Sequence, residues 1–214
     1  MDEIAAYVQA QPRKKFTKDN ILVYQGEAPR SMYAIASGFV KIYDLSADGN
    51  EQMVGLAGKY DFIPSELLFS RDVAAQFFYA AFTDVEVYVI DRDELAERIR
   101  KDSEALYQIV QTVSAKYHGL RRHLTAVQKP RAREKIVYVL YFLALYFVSG
   151  SDRNMAPGTL QKVAIPLTQQ DIANLVGISR ETAAHELKHL KNEGYITYDK
   201  SAFYIRDTLD SLIA

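Results

Sequence analysis

Ile165-Pro-Leu-Thr-Gln-Gln-Asp-Ile-Ala-Asn-Leu-Val-Gly-Ile-Ser-Arg-Glu-Thr-Ala-Ala-His-Glu-Leu-Lys-His-Leu-Lys-Asn-Glu-Gly-Tyr-Ile196 decides how the 214-residue chain is read. Thr168 stands at an N-cap position, and the helix that follows puts Ile172, Leu175 and Val176 on one face. Ala173 is small enough to let a second helix cross closely. Gly177 can stop the first helix in a left-handed conformation that side chains with a Cβ disfavour. Ser179 then caps a second helix whose Ala183, Leu187 and Leu190, at i, i+4 and i+7, face inward. Arg180, Glu181, His185 and Lys188 are left on the outside.

Such a pair is either a helix-turn-helix, with its second helix in the major groove, or an αα-hairpin with a solvated polar face. The string Gly-Ile-Ser-Arg-Glu-Thr (177–182), followed by Leu-Lys-His-Leu and Gly-Tyr-Ile, closely resembles the DNA-binding signature of the Crp-Fnr family of bacterial transcription regulators. That string favours the first reading.

The chain is 49% apolar with a formal charge of -1, enough for one large domain or two modest ones. Up to Gln128 it carries 15 Lys+Arg against 18 Asp+Glu, and after it 11 against 9, an acidic front and a slightly basic back. There are no cysteines, which removes disulfides, thiolate-held iron-sulfur clusters and thiol switches. Met-Asp-Glu-Ile at the start has no basic or apolar leader character, and Ile136 to Val148 is 13 uncharged residues, too short to span a bilayer. A cytoplasmic protein without membrane contact is expected.

Residues 1 to 10 suit a short helix ended by Gln11-Pro12. Short β-runs follow at Ile21–Tyr24, Met32–Ile35, Phe39–Tyr43, Gln52–Leu56 and Glu86–Ile90, punctuated by Gly26, Gly38, Asp48-Gly49-Asn50, Gly58 and Pro64. The phrase from Tyr33 to Tyr43, with Asp48-Gly49 and Tyr60-Asp61-Phe62-Ile63, resembles the β-roll of cyclic-nucleotide-binding domains, so the family resemblance covers nearly the whole chain. After Asp91 the period turns helical. Leu106, Val110, Val113, Tyr117, Leu120, Leu124 and Val127 form an unbroken a/d seam over three heptads, better explained by a parallel coiled coil between two chains than by packing within one. The long dimer helix of the family has the same form. From Lys116 to Lys135 there are seven Lys or Arg and one acidic residue, either a solvated face or an electrostatic aid to DNA approach.

The expected class is α+β: an N-terminal β-roll (jelly-roll-like) domain at 1–101, a long dimerisation helix and hinge at 102–128, and a C-terminal winged helix-turn-helix domain at 129–214. Its first helix is expected from Arg131 to Phe147, with a loop at Ser149–Thr159. Tyr195–Tyr198 and Phe203–Ile205 read as the wing hairpin, and Asp207–Ile213 as a short amphipathic helix.

As a homodimer on a double-stranded, near-palindromic operator, the chain would hold two recognition helices about 34 Å apart. Arg180 suits bidentate contact with guanine, and Glu181 suits the cytosine amino group. Thr168, Gln169, Gln170, Ser179, Thr182 and Lys188, with Lys200 and Ser201 on the wing, complete the expected DNA-binding set, several of them on phosphates. The family usually continues Arg-Glu-Thr-x-x-Arg, whereas His185 stands at the last position here, so the half-site should differ there. Glu186 also departs from an apolar family position and would turn to solvent or to a neighbouring base.

Family members that bind cyclic AMP use Gly-Glu and, later, Arg-Ser to hold its phosphate. Here Pro64-Ser65, unless Glu66 shifts by one, and Ala75-Gln76 take those places, so no cyclic-nucleotide response is expected. Ser65, Glu66, Phe69, Gln76, Phe77, Phe78 and Tyr117 are candidates for an effector pocket, either for an unknown apolar or aromatic small molecule or collapsed and needing none. No cofactor or metal is expected: His118 and His123 read as solvated or interfacial, and no metal-ligand spacing is recognised. No P-loop, Gly-x-Gly-x-x-Gly or Ser/His/Asp set supports an enzyme. A surface for RNA polymerase has no readable motif. The rival reading is a dimeric ligand-sensing β-roll protein acting through protein partners.

Overall fold

The computed structural model describes residues 3–68, 74–146, 160–199, 202–206, 209 and 212. The chain divides into two compact units, Met1–Val113 and Ser114–Ala214. The division falls inside one long helix rather than at either end of it.

The first unit opens with helix α1 (Glu3–Gln9) and continues through eight strands: β1 (Arg13–Phe16), β2 (Ile21–Val23), β3 (Ser31–Ser37), β4 (Val40–Leu45), β5 (Glu51–Ala57), β6 (Phe62–Ile63), β7 (Phe78–Ala81) and β8 (Val85–Asp91). They form two antiparallel sheets, ordered β1-β8-β3-β6 and β2-β7-β4-β5. All five expected β-runs are strands, and β1, β6 and β7 are additions. β1, Arg-Lys-Lys-Phe, is polar and mostly exposed, an edge strand that pairs with β8 and places Arg13 3.2 Å from Glu86.

Period-two alternation gives the first sheet two apolar faces. On β3 and β8, Ile35, Val85 and Val87 point between the sheets, where they meet Val23, Val40, Tyr79 and Ala81 of the second. Met32, Ala34 and Ile90 point the other way. They pack on Leu95, Ala96 and Ile99 of α2 (Arg92–Lys101), with Ile4 and Val8 of α1 and Ile109 of α3 (Ser103–Gln128) alongside. Gly38 turns β3 into β4 at φ +84°, where a Cβ would lie 2.2 Å from the Asp84 carbonyl oxygen. Only glycine fits there.

In the second unit, α4 (Ala132–Tyr146) buries Ile136, Val137, Val139, Leu140, Leu143 and Ala144. Its apolar run belongs to a helix enclosed by protein, and no helix among the described residues is long and apolar enough to cross a membrane. Then come β9 (Leu160–Lys162), α5 (Gln169–Val176), α6 (Arg180–Asn192), β10 (Ile196–Tyr198) and β11 (Phe203–Arg206). The expected wing hairpin is β10–β11, and β9 extends it into a three-stranded sheet ordered β10-β11-β9. The expected loop at 149–159 and most of the helix expected at 207–213 lie outside the described residues.

Half-buried His123, on α3, is held below its ordinary pKa near 6.5 because burial disfavours the imidazolium. The unfolded chain then binds more protons than the folded one below about pH 6.5, so stability is complete above that pH and falls as pH drops towards the depressed value. Urea unfolding between about pH 7.5 and 5 should show this acid-side loss, smaller in His123→Gln. An unchanged pH profile in the variant would mean the loss comes from elsewhere.

Candidate nucleic-acid interface

The turn between α5 and α6 is built by local chemistry. Thr168 accepts the Asp171 backbone N–H at 3.2 Å while Asp171 accepts the Thr168 N–H at 2.7 Å, a reciprocal capping box. Gly177 ends α5 at φ +66° with its N–H on the Ala173 carbonyl. The space around it is open to a Cβ, so glycine is required by the backbone alone. Ser179 caps α6 by accepting the Thr182 N–H at 3.2 Å.

α6 is held from behind. Ala183, Leu187 and Leu190 are fully buried, and α4, α5 and α6 pack on one another. At its far end Arg133 of α4 grips Glu193 through both guanidinium nitrogens, one at 2.7 Å, and this pairing holds the Glu193 carboxyl below its usual range. Lys191 donates to the Tyr198 carbonyl at 3.0 Å and lies over the Tyr198 ring, tying the helix to the wing. Neither anchor was recognised in the sequence, since both join residues whose proximity exists only after folding.

The outer face carries the expected readers. Arg180, Glu181, Thr182, His185 and Lys188 are all exposed. Arg180, Glu181 and Lys188 have no ion pair or side-chain hydrogen bond among the described residues. Two expected phosphate contacts are already engaged: the Thr168 hydroxyl donates to Asp171 at 2.6 Å, and the Ser179 and Thr182 hydroxyls share a bond at 2.9 Å. Gln170 is exposed and donates to Asn174 at 2.8 Å, and Gln169 is half-buried beside it. Glu186 turns inward, its side chain 23% exposed with one oxygen 3.5 Å from His185 Nδ1. Lys200 and Ser201 lie outside the described residues.

One pairing on this face was missed. His185 and His189 bring their Nε2 atoms to 3.2 Å, rings 4.5 Å apart at 60°. The i, i+4 spacing of the two histidines was its visible signal.

Several of the effector candidates are exposed or engaged. Ser65 and Gln76 are exposed, Phe78 stacks on Tyr43 at 5.2 Å, and Glu66 accepts a 2.6 Å bond from the buried Tyr79 hydroxyl. Burial, and then that bond, push the Tyr79 phenol well up. Phe69 lies outside the described residues, and Tyr117 is 58% exposed on α3 in the other unit. A cavity of about 520 Å³ lies on the outer face of the first sheet, lined by Ala34, Tyr88 and Ile109 with Arg13 and Lys59 among its polar residues.

The cyclic nucleotide-binding domain family matches residues 13–102, and the Crp-like helix-turn-helix domain family matches residues 134–209. The chain belongs to the Crp-Fnr family of transcription regulators. This Crp-Fnr chain is 24% identical to the Anaerobic regulatory protein of Bacillus subtilis over 94% of its length and 82% of that protein. It is 26% identical to the CRP-like cAMP-activated global transcriptional regulator of Mycobacterium tuberculosis, over 96% and 88%. FixK2 from Bradyrhizobium japonicum shares its fold, with a TM-score of 0.74 at 17% identity, covering 95% of this chain and 96% of that one. The Crp-Fnr helix-turn-helix is thus a DNA-binding one, and the regulator is not an enzyme.

Gly177→Ala should destabilise the second unit by about 1 to 2 kcal/mol, the cost of a left-handed non-glycine residue. Chemical unfolding measures it, and a change within experimental error would mean the turn can relax without glycine.

Proposed function

We propose that this Crp-Fnr regulator works as a homodimer paired through α3, reads a near-palindromic operator with α6, and does so without cyclic AMP. The observation that carries the reading is the outer face of α6, where the planar fork of Arg180 stands exposed beside Glu181, His185 and Lys188 on a helix whose inner face is fully buried. Arg180 would take guanine O6 and N7, and Glu181 the cytosine amino group. His185 would make the single bond that departs from the family's arginine. The N-termini of α5 and α6 would meet phosphates through backbone N–H groups, because the Thr168 and Ser179 hydroxyls are engaged in caps.

The pairing rests on α3. Leu106, Val110, Val113, Tyr117, Leu120 and Leu124 are 42–59% exposed along one continuous helix, an apolar stripe that a second copy would cover. Val127 is already half-buried and would add least.

Independence from cyclic AMP is supported by the β-roll. The M. tuberculosis relative is cAMP-activated by name. In this chain Ala75 and Gln76 replace the phosphate-binding Arg-Ser, so neither position offers a guanidinium to compensate a buried phosphodiester. Titration calorimetry with cyclic AMP should give no saturable heat; tight one-per-chain binding would refute this part.

Selection of bound sites from random DNA by ligand-free protein should enrich a palindrome. Failure to enrich any site, with the protein folded and dimeric, would end the ligand-free reading. Arg180→Ala should lose about 1 to 3 kcal/mol on the selected site and relax one base position. Equal loss on random DNA would remove its base-reading role.

A further inference from the structure

The recognition helix carries a chelating pair. His185-Glu186-Leu187-Lys188-His189 places two imidazoles one turn apart on the exposed face of α6, with their Nε2 atoms 3.2 Å apart. A metal bound at about 2.0 to 2.1 Å to each nitrogen, with an angle of about 100 to 110° between the bonds, needs a separation of about 3.1 to 3.4 Å. The rings already stand at that bite. The two Nε2 atoms share a hydrogen bond whose proton a metal would displace, and the Glu186 carboxylate, 3.5 Å from His185 Nδ1, is placed to orient that ring from its other nitrogen.

We propose that His185 and His189 form a binding site for a late first-row divalent cation, Zn2+, Ni2+ or Cu2+, whose binding withdraws His185 from the operator. Imidazole nitrogen suits these ions, and carboxylate-preferring Mg2+ and Ca2+ would not compete. No cluster of three or more His, Cys, Asp or Glu that could hold a metal occurs among the described residues, so solvent completes the coordination and the ion exchanges with the medium. The site binds and does not hydrolyse. A hydrolytic zinc centre built on this spacing needs a third protein ligand and a glutamate beside the metal-bound water, whereas Glu186 sits on the Nδ1 side of His185.

The effect on DNA rests on the proposed role of His185. Its Nε2 is the atom that would reach a base edge, and the same atom would be committed to the metal. Discrimination at the base pair read by His185 should then be lost, while phosphate attraction, if anything, rises with the added positive charge.

The test uses the full chain and His189→Gln, a residue outside the proposed reading set and exposed enough to leave folding intact, as circular dichroism would confirm. Calorimetric titration with Zn2+ should show one site per chain, weakened at least about tenfold in the variant. Paramagnetic resonance with Cu2+ should show two imidazole nitrogens in the wild type and one in the variant. Equal Zn2+ affinity in both proteins would overturn the site, whatever the protein does with DNA. The ratio of affinities for selected and random DNA should fall when Zn2+ is added to the wild type and stay constant in His189→Gln. A Zn2+ effect of equal size in both would overturn the coupling, and an unchanged ratio in the wild type would do the same.

Discussion

The burial of one face of α6 is the constraint on which the rest depends. Leu187 and Leu190 are large, fully buried and one turn apart, so the helix can neither rotate nor slide without opening a cavity against α4 and α5. Fixing that face fixes the opposite one. Arg180, Glu181 and His185 point outward because Ala183, Leu187 and Leu190 are committed inward. The Gly177 turn sets where α6 begins, and the Arg133–Glu193 ion pair holds where it ends.

The β-roll solves a different problem with the same economy. Its first sheet is apolar on both faces, so it needs a second sheet on one side and helices on the other. Ile109 joins the outer layer while Leu106, Val110 and Val113, on the same helix, remain exposed. One helix therefore serves the domain core with one stripe and leaves another exposed. The Glu66–Tyr79 bond and the Phe78–Tyr43 stack show what part of the aromatic set near the family motif does. Phe78 and Tyr79 are used in packing and hydrogen bonding, and an aromatic side chain in sequence does not reveal which of its faces is covered.

Legibility followed the range of the interaction. Thr168, Gly177 and Ser179 announce caps and a left-handed stop through contacts within four residues, and all three do what their chemistry suggests. The heptad stripe and the buried triad of α6 are equally local, since they depend only on helical period. The strands missed in the sequence had no such signal. β1 is a charged edge whose pairing partner lies about seventy residues away, β6 is two residues long, and β9 is a strand only because β11 lies beside it. β7, Phe-Tyr-Ala-Ala, is a short buried run with no alternation to betray it.

The residues alone thus determined the helix boundaries around Gly177, which side chains of α6 face out, the apolar stripe of α3 and the membership of the Crp-Fnr family. Each depends on periodicity, capping or a contiguous motif. Tertiary structure decided the two-sided packing of the first sheet, the grip of Arg133 on Glu193, the inward turn of Glu186 and the 3.2 Å approach of His185 to His189. The first three join residues distant in the chain or choose between rotamers. The last lies within one helix, allowed by an i, i+4 spacing and set by side-chain torsions, which sequence permits in several combinations.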